Sequence, residues 1–121
     1  RMKFIFATIH VKNLEDSIRF YESVLGMKLV RRFPGGPQAE IAFLADGPAE
    51  IELICDKNAE HTGCAGGPSL GLSVENLDQA MEKMKEHNVE IVSGPFQPNP
   101  STRFFFIQDP DGVSLEIIEQ K

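Results

Sequence analysis

Val11-Lys12-Asn13-Leu14-Glu15-Asp16-Ser17-Ile18 recurs 63 residues later as Val74-Glu75-Asn76-Leu77-Asp78-Gln79-Ala80-Met81. Phe43-Leu44 stands against Phe106-Ile107 at the same spacing, and Ile51-Glu52-Leu53-Ile54 against Leu115-Glu116-Ile117-Ile118 with the spacing slipped by one. Ordered matches at nearly one spacing indicate a duplicated module. Each copy reads alike. A strand (about 4–11 and 69–74) leads to an Asn placed as an N-cap, with Asp16 or Gln79 three residues on. Helices follow over about 14–25 and 77–87, with Leu14, Ile18, Tyr21 and Leu25 on one face of the first and Leu77, Met81 and Met84 on one face of the second. Gly26 is placed to stop the first helix. Three strands then close each copy, expected over about 27–33, 39–44 and 49–55, and over 89–93, 102–108 and 113–119. Asp46-Gly47-Pro48 and Asp109-Pro110-Asp111-Gly112 supply hairpin turns. The expected fold is α+β: two tandem βαβββ modules forming a curved mixed sheet around a cleft. Residues 1–121 then make one domain, with module one at about 2–56, a linker at about 57–68 and module two at about 69–121.

The chain's 121 residues, 41% hydrophobic and 25% charged, suit one such domain. Its net charge of −6 argues against a nucleic-acid partner, which needs a clustered basic face. No apolar run approaches the ~20 residues that span a bilayer. The first residues lack signal-peptide character, so a cytoplasmic location is expected. Cys55 reads as a small strand residue and Cys64 as a loop thiol rather than a disulfide pair. His61 and Cys64, three apart in a Gly-rich loop, are too few to hold a metal.

Strand alternation selects what faces a cleft. Phe6, Thr8 and His10 share one face of the first strand, while Ile5, Ala7 and Ile9 suit packing under a helix. Glu52 and Ile54 share a face, as do Ser69, Gly71 and Ser73, and Ser114, Glu116 and Ile118. In Phe104-Phe105-Phe106, alternation sends either Phe105 or its two neighbours inward. Arg31, Arg32 and Arg103 are candidate clamps for an anionic ligand. The stretches 33–37 and 95–100 read as loops that rim the cleft. No phosphate-cradling Gly loop or nucleophile motif is present.

The run from Thr8 to Met27 resembles the opening of glyoxalase I, and Asp109-Pro110-Asp111-Gly112-Val113-Ser114-Leu115-Glu116 resembles its C-terminal signature. Both point to the vicinal oxygen chelate superfamily, which also holds bleomycin-resistance proteins, extradiol dioxygenases and methylmalonyl-CoA epimerases. In glyoxalase I the paired modules hold one divalent metal through a His and a Glu from each. The resemblance places those carboxylates at Glu52 and Glu116, and the two histidine positions at Phe6 and Ser69. Both imidazoles are therefore absent. Two carboxylates with waters suit a harder, more weakly held cation than nickel or zinc. His10 lies four residues from Phe6, about 13 Å away along a strand, and does not replace it. In glyoxalase I that position can carry a basic residue lining the substrate site.

Three functions follow from the resemblance. The first is a metal-free protein binding a small molecule in the cleft, in the manner of bleomycin-resistance proteins. Phe6, Thr8, His10, Ser69 and Arg103 would line it. The second is a lactoylglutathione lyase-like enzyme or a related isomerase, using nickel or zinc held through Glu52 and Glu116. The third is a metal-independent enzyme in which those glutamates share protons, since two carboxylates in one cleft titrate as a unit. A homodimer pairing modules of different chains is also implied.

Overall fold

The structure, a computed structural model, describes residues 5–58 and 68–121. His61, Cys64 and the first residues of the expected leading strand lie outside them. The chain divides into two compact units, Arg1–Thr62 and Gly63–Lys121.

In the first unit, β1 (Phe6–His10) leads to α1 (Leu14–Ser23), then β2 (Lys28–Pro34), β3 (Ala39–Ala45) and β4 (Glu50–Asp56). The second unit repeats this with β5 (Ser69–Ser73), α2 (Leu77–Glu86), β6 (Ser93–Asn99), β7 (Thr102–Gln108) and β8 (Ser114–Gln120). Each unit forms a four-stranded mixed sheet, ordered β1-β4-β3-β2 and β5-β8-β7-β6. The first strand of each runs parallel to the last, and the remaining pairs are antiparallel.

The helices start alike because the sequence caps them alike. The Asn13 side chain accepts a hydrogen bond from the Asp16 amide and the Asn76 side chain one from the Gln79 amide, each at 3.0 Å. Gly26 takes φ 74° beyond α1, a conformation that costs a glycine little. Asn88 takes φ 58° beyond α2 while the Val89 amide reaches back to the Met84 carbonyl.

Helices cover one face of each sheet. Ile9, Leu53, Ala42 and Leu44 are buried with Leu14, Ile18 and Tyr21 of α1. Leu115, Ile117, Phe105 and Ile107 are buried with Leu77, Ala80 and Met84 of α2. Phe105 is fully buried, so Phe104 and Phe106 point to the other face.

The one-residue slip in the repeat has a plain origin. Residues 46–49 join β3 to β4, whereas residues 109–113 join β7 to β8 with one residue more. In that longer turn the Asp109 carboxylate accepts from the Asp111 and Val113 amides at 2.8 and 2.9 Å.

The expected strand at 89–93 and loop at 95–100 are both corrected. The strand is β6, Ser93–Asn99, pairing with β7 across two register shifts. It lies at the sheet edge, where prolines that donate no hydrogen bond are tolerated. Phe33 and Pro34 likewise end β2 rather than lie in a loop. Among the described residues no helix is long and apolar enough to cross a membrane.

Candidate functional site

The far face of each sheet, opposite its helix, collects the candidate residues. In the first unit three rows cross it. Thr8, Glu52, Phe43 and Arg31 form the middle row. Phe6, Glu50 and Ala45 lie on one side, and His10, Ile54, Ile41 and Phe33 on the other. The sheet thus brings Phe6, Thr8, His10 and Glu52 onto one surface.

Thr8 and Glu52 are register partners, and the Thr8 hydroxyl donates to Glu52 Oε1 at 2.7 Å. Glu52 is half-buried. Phe6 is 40% exposed and packs perpendicular to Phe43, with ring centroids 5.5 Å apart. Phe33 stacks on Phe43 at 6.1 Å. The Arg31 guanidinium sits 4.0 Å from the centroid of the Phe43 ring and donates to both oxygens of Glu50, at 2.9 and 3.0 Å. These hydrogen bonds hold the Glu50 carboxyl below the usual carboxylate range and raise Arg31.

The second unit builds the equivalent row from Gly71, Glu116, Phe106 and Ser93. Ser69 lies opposite Ser114, one row along. Phe106, Phe104 and Phe96 form a chain of rings 5.8 and 5.4 Å apart. Gly71 stands where Thr8 stands in the first unit and has no hydroxyl to donate to Glu116. Among the described residues no hydrogen bond or ion pair engages its carboxylate.

Arg103 is not part of this surface. It lies on the helix side of β7, where it donates to Asp78 of α2 at 3.1 Å, and that bond raises its pKa. Arg32 is likewise on the helix side, bridging Glu40 at 2.7 Å and Glu15 of α1 at 2.6 Å. Glu119, on the helix side of β8, is 4% exposed and accepts from the Leu77 amide at 2.8 Å. It caps α2 rather than meeting solvent.

Arg31, a candidate anion clamp from sequence, is instead engaged within the chain by Glu50 and Phe43. The alternation of Ile41, Phe43 and Ala45 against Glu50 and Glu52 was the available signal for that cluster. Strict alternation from Leu29 puts Arg31 under the helix, and the register shift between Leu29 and Arg31 turns it onto the far face.

Residues 3–117 match the description "Glyoxalase/Bleomycin resistance protein/Dioxygenase superfamily". The chain belongs to this superfamily. It is 36% identical over 129 residues to a lactoylglutathione lyase of Escherichia coli O157:H7, covering 99% of this chain and 94% of that one. Its fold is similar to that of glyoxalase I from Zea mays, at TM-score 0.86 and 26% identity, covering 98% of this chain but 44% of that one. It is also similar to a glyoxalase family protein from Bacillus cereus, at TM-score 0.79 and 26% identity, covering 99% and 93%. The chain therefore spans less than half the length of the maize protein.

The metal that the superfamily resemblance implies is a poor fit to the donors present. At the first histidine position Phe6 offers a ring engaged with Phe43, and one Glu52 oxygen already accepts from Thr8. At the second, Ser69 offers a neutral hydroxyl. Among the described residues no group of three or more His, Cys, Asp and Glu side chains is placed to hold an ion. The donor chemistry is that of carboxylates and hydroxyls, which nickel and zinc do not favour over imidazole and thiolate.

Proposed function

We propose that this superfamily member binds a small organic molecule on the far face of its first sheet, without a transition metal. The observation that carries this reading is the Phe6–Phe43–Phe33 cluster beside the Thr8–Glu52 pair. An aromatic surface with one oriented carboxylate is the usual make-up of a small-molecule site, apolar contact for affinity and a polar group for orientation. Thr8 and His10 belong to the proposed contact surface of the first unit, Ser69 and Glu116 are at equivalent positions of the second, and Arg103 pairs with Asp78 on the helix side.

Native mass spectrometry of the purified chain, followed by a thermal-shift screen of a metabolite library, tests the proposal. A retained or stabilising molecule whose effect is lost in Phe6→Ala supports it. A hit that binds Phe6→Ala unchanged removes this surface from the account.

The 36% identity to a lactoylglutathione lyase, with Glu52 and Glu116 at the resembled carboxylate positions, favours a second reading as a metal-dependent lyase or isomerase. Turnover of the methylglyoxal–glutathione adduct in added nickel or zinc would establish it. No turnover under those conditions excludes it. We also propose a cytoplasmic homodimer. Light scattering on the eluting protein should give twice the chain's 13.5 kDa, and a monomeric mass refutes the dimer.

A further inference from the structure

We propose that the first unit's far face selects aromatic organic cations, an ammonium group meeting Glu52 while its ring packs on Phe6. This deepens the small-molecule reading above and rests on it. Four observations converge. Glu52 gives one oxygen to Thr8 at 2.7 Å, which fixes the carboxylate, and its other oxygen has no partner among the described residues. Of the other acids at register positions of that face, Glu50 is held by a two-pronged bond to Arg31, and Asp56, at the far end of β4, accepts from the Asn58 amide at 2.9 Å. Glu52 shares the field of Arg31 with Glu50, but the guanidinium's hydrogen bonds go to Glu50, so Glu52 keeps one carboxylate oxygen open beside an aromatic surface.

Phe6 supplies that surface. It lies diagonally across from Glu52, next to Thr8 on the same strand face, and keeps 40% of its area exposed. A ring face is electron-rich and attracts a cation within about 6 Å of its centroid. An anionic ligand placed on Phe6 is repelled by the Glu52 carboxylate, while Arg31 and Lys28, the cations at register positions of this face, lie on β2 at the opposite edge of the sheet. The chain itself shows the same chemistry one position along the row. The Arg31 guanidinium is held between the Phe43 ring, 4.0 Å away, and the Glu50 carboxylate. A carboxylate with an aromatic neighbour thus binds a cation twice over on this sheet, once from within the chain and once from solution.

Titration with 2-phenylethylammonium, 2-phenylethanol and 3-phenylpropanoate tests the proposal, read from the methyl shifts of Ile41 and Ile54 in the adjacent row. The expected result is that the ammonium compound binds at least about fivefold tighter than the alcohol, with the carboxylate compound weakest. Glu52→Gln should abolish the preference. Glu22→Gln, an equal charge change on α1, should leave it intact. Equal binding of all three probes, lost in Phe6→Ala, overturns the cation proposal and leaves the small-molecule reading standing. Failure of every probe to shift those methyls also overturns it, and the native mass spectrum then decides the broader reading separately.

Discussion

β8 carries two glutamates on opposite faces of its sheet, and their surroundings predict opposite consequences. Glu119 is 4% exposed and accepts from the Leu77 amide at 2.8 Å, one of the donors at the start of α2 that no helical carbonyl can satisfy. Glu119→Ala leaves that N–H buried without an acceptor and removes a negative charge from the positive end of the helix. A buried unsatisfied donor costs about 1–3 kcal/mol, and the lost dipole interaction adds up to about 1 kcal/mol. The midpoint of thermal unfolding should fall by about 4–16 °C at roughly 4 °C per kcal/mol for a chain of this size. Glu116 is three residues away on the other face, with no hydrogen bond or ion pair among the described residues. Glu116→Gln should therefore change stability by no more than about 0.5 kcal/mol. Urea and thermal unfolding of the two variants, against wild type, provide the assay. A Glu119→Ala midpoint within 2 °C of wild type, on the order of 0.5 kcal/mol, would refute the capping argument. A large loss in Glu116→Gln would show that its carboxylate is structural and unavailable to a ligand.

The same alternation separates neighbouring phenylalanines: Phe105→Ala empties a fully buried site and should cost about 3–5 kcal/mol, clearly more than Phe104→Ala on the far face, as read from urea midpoints. Replacing Asn76 with Ala should cost about 1 kcal/mol, because the Gln79 amide loses its cap; an unchanged midpoint would remove that role. Hydrogen bonds from Arg31 and Arg32 hold the Glu50 and Glu40 carboxyls below their ordinary value of 4.5. A carboxyl depressed in the folded state contributes stability above its unfolded value, and that contribution is lost as pH falls from about 4.5 through the lower folded value. Glu50→Gln should therefore flatten the loss of stability below pH 4.5 relative to wild type, and superimposable acid-unfolding curves would contradict the pairing.

The repeat made the fold legible because both caps and both far-face glutamates fall at equivalent places. Asn13 and Asn76 signal helix starts in any context, since the side chain itself replaces the missing acceptor. Alternation likewise placed Phe6, Thr8 and His10 together and Phe104 with Phe106. It failed where the backbone departs from a period of two. The shift between Leu29 and Arg31 turns Arg31 onto the far face, where strict alternation from Leu29 would have put it under the helix. β6 was missed for a related reason: Pro95 and Pro98 read as loop residues, yet an edge strand needs hydrogen bonds on one side only. Glu119 and Arg103 were illegible as structural groups because their partners, Leu77 and Asp78, come from a helix whose docking the sequence does not specify.

The central claim, that Phe6 and Ser69 leave the two resembled histidine positions without a metal donor, is tested most directly by the chain's affinity for nickel and zinc. Protein prepared without a chelating tag should be titrated calorimetrically with each ion, beside the Phe6→His/Ser69→His double variant. The account predicts no stoichiometric uptake by the wild-type chain and tighter uptake by the double variant, which restores both imidazoles. Stoichiometric, tight binding of either ion to the wild-type chain, lost in Glu52→Gln, would contradict it.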